Sequence, residues 1–339
     1  MNWTNYINIE IHRNLLICPA CNNDSLNELD NILKCVNCNR EYVIRDNIPL
    51  MFLPNDWDNS KYDASEIVKF FYENTPFPNY EDMEEINDLV KKSEMGYYAK
   101  FLNEQIPFNV NVLEVGCGTG QLANYLGLAS RNVFGTDMCL NSLQLAENFR
   151  YKNNINNTRF YQMNLFNPIF QENSFHLVIC QGVLHHTSDP YLGFQSISKL
   201  VKRGGYIIIG LYNKYGRLVT DARRVIFRIT KDKLKFIDPR LKKTDRNKSK
   251  RESWFKDQYK HPHESKHTIG EVLKWFKKND FEFVNAIPKV KPFSPITINE
   301  KLFRLNPKGN IVDHFITQLN SIIGGYREGG LFIMIGKKQ

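Results

Sequence analysis

The 339 residues are 42% hydrophobic and 13% aromatic, enough apolar material for one large domain and a small companion. The stretch Met1 to Ala20 lacks an apolar h-region, and no later run approaches ~20 apolar residues, so neither secretion nor a membrane span is expected and the reducing cytoplasm is the expected compartment. The net charge of +9 is concentrated between Lys214 and Arg251, where 15 Lys/Arg face 4 Asp/Glu; such a run is either a solvated helical face or a surface for an anionic partner.

The seven cysteines of a cytoplasmic chain point to metal binding before disulfides. Cys18-x2-Cys21 and Cys35-x2-Cys38 stand 13 residues apart, a spacing that directs four thiolates at one tetrahedral Zn²⁺ and leaves no open position, so a structural zinc is expected. Cys117, Cys139 and Cys180 have no such partners and read as small core residues. The segment "CVNCNREYVIRDNIPLMF" resembles the short zinc ribbon of the small proteins that activate methyltransferases, and residues 1–55 are expected to form that unit.

After a helix-forming stretch (56–108), "NVNVLEVGCGTGQLANYLG" runs an apolar strand into Gly116, Gly118 and Gly120 and then a helix. Such glycines let the backbone turn sharply and approach a ligand. A second strand, "RNVFGTD", ends in Asp137, 17 residues after Gly120, where an acid can hold a ribose diol; "TRFYQMNL" reaches Asn164, and "FHLVICQGVLHH" precedes a helix and "RGGYIIIG". This alternation predicts a doubly wound parallel sheet with ligand groups at the strand C-termini. A nicotinamide-dependent enzyme is the competing reading. Glu114 would then sit near a pyrophosphate, which is electrostatically unfavourable, whereas it suits the cationic end of S-adenosylmethionine.

The pattern resembles the class I S-adenosylmethionine-dependent methyltransferases over roughly residues 100–212 and the closing elements near the C-terminus. The resemblance implies an α/β, mostly parallel seven-stranded sheet over residues 109–339, with helical lid insertions at about 212–267 and 288–329. It implies that Glu114, Gly116, Gly118 and Gly120 surround the methionine and ribose of the cofactor. Asp137 would grip the ribose hydroxyls, Met138 would pack on adenine, and Asn164 and Leu165 would read the adenine amine. Gln181 and Gly182 would floor the methyl-donor site. The segment before the first strand covers the cofactor in relatives, which makes Phe71, Tyr72, Phe77 and Tyr80 candidates for a cage, against plain aromatic packing. No Asn-Pro-Pro-Tyr segment follows the fourth strand, an argument against exocyclic-amine chemistry on adenine.

The insertion at 212–267 leaves the ligand side of the sheet and is expected to wall the acceptor. In "RLVTDARRVIFRIT", Leu218, Ala222, Val225 and Ile229 form one helical stripe, expected to pack inward and leave the arginines in solvent; "DPRLKKTDRNKSKRE" reads as a mobile loop. In "HPHESKHT", Thr268 and Glu271 have capping-box spacing, so His261, His263 and His267 fall in a loop ahead of a helix. That address favours acceptor contact over metal binding, with polar capping as the bland alternative. Candidate bases are Tyr72, His185, His261 and His263.

The function expected is methyl transfer to a small or medium anionic metabolite by in-line displacement. The alternatives are an RNA methyltransferase gripping phosphates with the ribbon and basic insert, and a non-catalytic adaptor built on the cofactor fold.

Overall fold

The computed structural model describes residues 13–57, 63–74, 80, 83–242, 248–324 and 329–339, with the side chains of 242, 248–250 and 323–324 left undescribed. At the front, β1 (Leu26–Leu29), β2 (Ile32–Cys35), β3 (Glu41–Arg45) and β4 (Ile48–Pro49) form an antiparallel sheet in that order. The β3–β4 hairpin turns on Asp46 and Asn47, both at positive φ. Asp and Asn tolerate that conformation, which a two-residue hairpin of the right twist requires.

This unit is joined to the larger sheet by more than its linker. Leu50 bridges Gln162 in parallel, the Met51 amide donates to the Gln162 carbonyl at 3.1 Å, and the Ile17 amide donates to the Ile169 carbonyl at 2.7 Å. Leu16, Leu33, Tyr42 and Met51 share one apolar core with Phe134, Tyr161 and Phe170. The ribbon thus covers an edge strand whose unpaired backbone would otherwise be exposed.

Three helices follow: α1 (Ser65–Glu73), α2 (Ile86–Glu94) and α3 (Tyr97–Gln105). Then β5 (Asn111–Val115), α4 (Gln121–Gly127), β6 (Asn132–Asp137), α5 (Leu140–Lys152), β7 (Thr158–Gln162), β8 (Phe175–Gln181), α6 (Pro190–Ser198) and β9 (Val201–Tyr212) alternate as the sequence predicts. With β10 (Phe281–Ile287) and β11 (Leu331–Lys338), the seven-stranded sheet has the order β10-β11-β9-β8-β5-β6-β7. Its central strands are buried on both faces, with Val112, Leu113, Val133, Phe134, Val178, Ile179 and Ile207 to Ile209 out of water, as a parallel sheet between helical layers demands. β11 runs antiparallel to both β9 and β10. Chain leaving β9 and chain leaving β10 therefore depart from the same, ligand-side end.

The insertion after β9 contains α7 (Leu218–Ile229), α8 (Pro239–Lys242) and α9 (Lys248–Lys260). Two expectations change here. The stretch 238–252 is largely helical where it is described, with 243–247 outside the described residues. And α7 is turned over: Leu218, Val225 and Ile229 are 47%, 58% and 75% exposed, while Thr220 and Phe227 are buried and Arg217 is fully buried. The reason is a carboxylate beneath the helix, described below, that draws two arginines inward. α10 (Ile269–Lys278) opens with the expected capping box, the Glu271 amide donating to Thr268 Oγ1 at 3.2 Å. α11 (Ile311–Gly324) lies in the second insertion.

Candidate active site

A cavity of about 410 Å³ opens at the carboxyl ends of β5, β6 and β8, where an open α/β sheet takes its ligands. Its floor follows from the glycine turn. Gly116, Gly118 and Gly120 all have positive φ. At Gly116 a Cβ would lie 2.2 Å from Val183, and at Gly120 2.5 Å from the Phe160 ring. Gly116 and Gly118 line the cavity; Gly120 does not, and its smallness serves the seating of α4 on β7 and α5.

Asp137, at the end of β6, accepts hydrogen bonds from the Gly118 and Cys139 amides at 2.8 and 2.9 Å. The carboxylate is thereby held in place and still faces the cavity. Burial raises its affinity for a proton, against those amide bonds. Glu114 is more exposed to the cost of burial. Its Oε2 is buried with no hydrogen-bond partner. Burial pushes its carboxyl up to about 8, the Ala123 amide opposing and the charge of Asp137 adding. A buried acid left in this state is destabilising for the free protein, and a cation in the cavity would supply what it lacks. The donor set thus fits the positively charged end of S-adenosylmethionine.

Met138, Leu165, Gln181 and Gly182 line the same cavity. The Gln181 amide nitrogen donates to the Tyr98 hydroxyl. Asn164 lines it too, yet its amide nitrogen is committed to the Leu53 carbonyl and Asn55 Oδ1, each at 2.8 Å, and its oxygen accepts from the Phe166 amide at 3.1 Å. The side chain ties the ribbon's exit segment to the cavity wall and keeps at most one lone pair for a ligand.

The opposite wall comes from α1 and the lid. Ser65, Val68 and Tyr72 of α1 and Asp257 and Gln258 of α9 line the cavity. The Tyr72 hydroxyl donates to Asp257 Oδ1 at 2.8 Å, Gln258 Nε2 donates to Asp257 Oδ2 at 2.9 Å, and the same nitrogen lies 2.9 Å from the Tyr212 hydroxyl. Burial raises the proton affinity of Asp257 and sends that of the Tyr72 phenol well up. Tyr72 is therefore a donor that orients a carboxylate, a poor base itself. Of the other proposed cage residues, Phe71 packs on Tyr72 and His261 (centroids 5.2 and 5.0 Å). Tyr80 stacks on Phe149 at 4.5 Å behind the floor, and Phe77 lies outside the described residues.

Behind this wall sits the carboxylate that turns α7 over. Glu264, 4% exposed, accepts from Arg217 (0% exposed) and, at 2.9 Å, from Arg224 Nη2. Arg217 also donates to Gln258 Oε1 at 2.7 Å and lies 3.7 Å over the Tyr212 ring. Burial opposes the charge of Glu264, but the hydrogen bonds and charges of Arg217 and then Arg224 hold it down to about 2.

The histidines are arranged differently from the expectation. His185 is fully buried, neither ring nitrogen has a partner, and its ring lies 4.0 Å from that of Tyr212; burial and the nearby Arg217 push its proton affinity well down. His261 stacks on His186 at 3.6 Å and is pushed down to about 4 by burial. His263 Nε2 pairs with the Thr187 carbonyl at 3.1 Å. His267 joins Ser265 and Glu271, both at 2.9 Å, in the helix cap. His186 alone among these lines the cavity. His185, His261 and His263 seat the lid loop on the turn after β8, and nothing places them against an acceptor. Sequence reading missed Asp257 and Gln258, although both stand in "WFKDQYK". The available signal was an acid set among aromatics at helical spacing, on a face that has to be buried.

At the front, Cys18 Sγ lies 3.6 Å from Cys38 Sγ and Cys21 Sγ 3.5 Å from Cys35 Sγ, with all four sulfurs within 4.8 Å of one another. Thiolates around one tetrahedral ion at about 2.3 Å take such separations. Among the described residues this is the one close group of three or more potential metal ligands.

Residues 113–209 match the family described as Methyltransferase domain. The chain is 27% identical over 195 residues to the Ubiquinone biosynthesis O-methyltransferase of Escherichia coli, covering 54% of this chain and 78% of that one. It is 24% identical over 197 residues to an uncharacterized Synechococcus protein, covering 51% of this chain and 47% of that one; it thus spans about half the length of that relative. Among solved structures, PKMT2 from Rickettsia typhi in complex with AdoHcy aligns with a TM-score of 0.52 at 15% identity, over 72% of this chain and 52% of that one. Floor, fold and family match agree: residues 113–209 are a methyltransferase domain.

Proposed function

We propose that the protein transfers the methyl group of S-adenosylmethionine to a small acceptor that is neutral or cationic. The observation that carries this reading is the charge of the cavity. Glu114, Asp137 and Asp257 line it, and among its described residues no Lys or Arg does. The expectation of an anionic acceptor rested on the basic insertion, whose cations Arg217 and Arg224 are engaged with Glu264 behind the wall.

Once bound, the cofactor supplies a methyl group on a cationic sulfonium. Glu114, ionised by that charge, would hold the cationic end; Asp137 would hold the ribose hydroxyls on a carboxylate fixed by two amides. Tyr72 and Gln258 orient Asp257, whose remaining lone pairs accept the proton that an acceptor hydroxyl or ammonium gives up. The lid excludes water from the cavity, so alignment supplies most of the acceleration. The four cysteines hold a structural Zn²⁺ that keeps the ribbon on the sheet edge, and the cytoplasm is the compartment of action.

The test is methyl uptake from labelled S-adenosylmethionine in cell extract split into small-molecule and RNA fractions. Label in the small-molecule fraction is expected, and label confined to nuclease-sensitive material would overturn the proposal. With an acceptor in hand, Asp257→Asn should lower kcat about 10²–10⁴-fold while leaving cofactor affinity unchanged, and should remove an acid limb of the kcat/KM profile lying above the usual carboxylate range. Tyr72→Phe should shift that limb without abolishing it.

A further inference from the structure

The exposed stripe of α7 is unusual for a helix that also packs on a domain. Leu218, Ala222, Val225 and Ile229 lie at i, i+4, i+7 and i+11, one row along the helix. They point directly away from buried Thr220 and Phe227. The exposed Arg228 stands beside the row and the exposed Lys231 just past its end; among the described residues neither has an acidic partner. Phe236, 56% exposed, continues the apolar surface. The second insertion, rising from the same end of the sheet, presents its own exposed apolar residues: Ile311 (86%), Val312 (63%) and Phe315 (51%) on α11. No described helix is long and apolar enough to cross a membrane.

We propose that α7 is a docking surface for an anionic membrane, on which the protein lies with the lid side down. An aliphatic row flanked by cations, on a helix whose opposite face is anchored, is the arrangement that sits at the headgroup boundary, buried by about 5–10 Å. Charge complementarity selects the anionic bilayer: Arg228 beside the row and Lys231 and Lys233 just past its end are exposed cations, whereas Arg217 and Arg224 of the same run are turned inward onto Glu264. Exposed aliphatic side chains gain nothing from RNA, which is met by cations and stacking aromatics. The geometry also couples docking to the site. The inner face of α7 holds Arg217 and Arg224, which bind Glu264 and Gln258, and Gln258 lines the cavity. Docking would therefore set the active-site wall close to the interface.

This inference rests on a surface and is tested without turnover. Purified full-length protein is sedimented with vesicles of phosphatidylcholine alone and of phosphatidylcholine with phosphatidylglycerol. Binding is expected to the mixed vesicles and to weaken with salt. Val225→Glu with Ile229→Glu should abolish it, whereas Arg228→Gln and Lys231→Gln should each weaken it about fivefold; S-adenosylmethionine affinity should be unchanged in all of them. Absence of vesicle binding, or binding that survives the double glutamate variant, overturns the proposal. So does a dimer in solution that the same variant makes monomeric, or a single-stranded RNA that binds at equal salt and is indifferent to the two aliphatic positions.

Discussion

Two buried glutamates, one on each side of the cavity, meet opposite treatment. Glu264, beneath the lid helix, is saturated by two arginines and held down to about 2. Glu114, in the floor, keeps an oxygen without a partner and is pushed up to about 8. The first carboxylate is finished by the fold itself, as a pin that fixes the lid on the body. The second is finished only by a ligand, and the free protein bears the cost until one arrives.

Removing either should break the comparison in opposite directions. Glu264→Ala leaves Arg217 buried without its partner and should destabilise the protein by about 3–5 kcal/mol, read as the urea midpoint at neutral pH. The same ion group predicts an acid limb. Because the folded carboxyl lies below its ordinary value, its stabilisation is complete above about 4.5 and is lost as pH falls toward about 2. That limb should amount to at most about 3 kcal/mol and flatten in Glu264→Gln. Glu114→Gln should do the reverse. The free protein should gain at most about 3 kcal/mol at neutral pH, because an amide needs no proton to stay neutral there, while calorimetry shows lost affinity for S-adenosylmethionine. A variant that loses both stability and affinity would make Glu114 structural like its counterpart. The finest test is proton release. At pH 7 Glu114 is mostly protonated in the free protein, so binding a cation should release roughly one proton, fading as pH rises through about 8 and absent in Glu114→Gln.

The floor of this cavity was legible in the sequence because its constraints are local. Gly116, Gly118 and Asp137 are each demanded by a turn or a strand end within one short stretch, and the cysteine cluster of the ribbon, away from the cavity, was legible for the same reason of spacing. The lid was not legible, because its orientation depends on pairs far apart in the chain. A stripe of Leu218, Ala222, Val225 and Ile229 says that one side of α7 is apolar. Only Glu264, 47 residues from Arg217, decides that the arginines turn inward. The histidines depend on distant pairs in the same way: His186 stacks on His261, 75 residues away, and of the group His186 alone lines the cavity. Asp257, just past the stretch read as a mobile loop, shows itself only once α9 brings it against Tyr72 of α1, 185 residues away in the chain.

The common departure of both insertions from one end of the sheet has an evolutionary consequence. β9, β10 and β11 keep their register through pairs such as Ile209 with Met334 and Ala286 with Met334, and of the first insertion only Tyr212, the last residue of β9, joins the ladder, opposite Leu331. The two insertions can lengthen, shorten or be exchanged without disturbing the strand ends that carry Glu114, Asp137 and Gln181. Acceptor choice in such a scaffold is free to drift while the methyl-donor half stays fixed, and chimeras that swap residues 212–267 between relatives should keep cofactor affinity and change what is methylated.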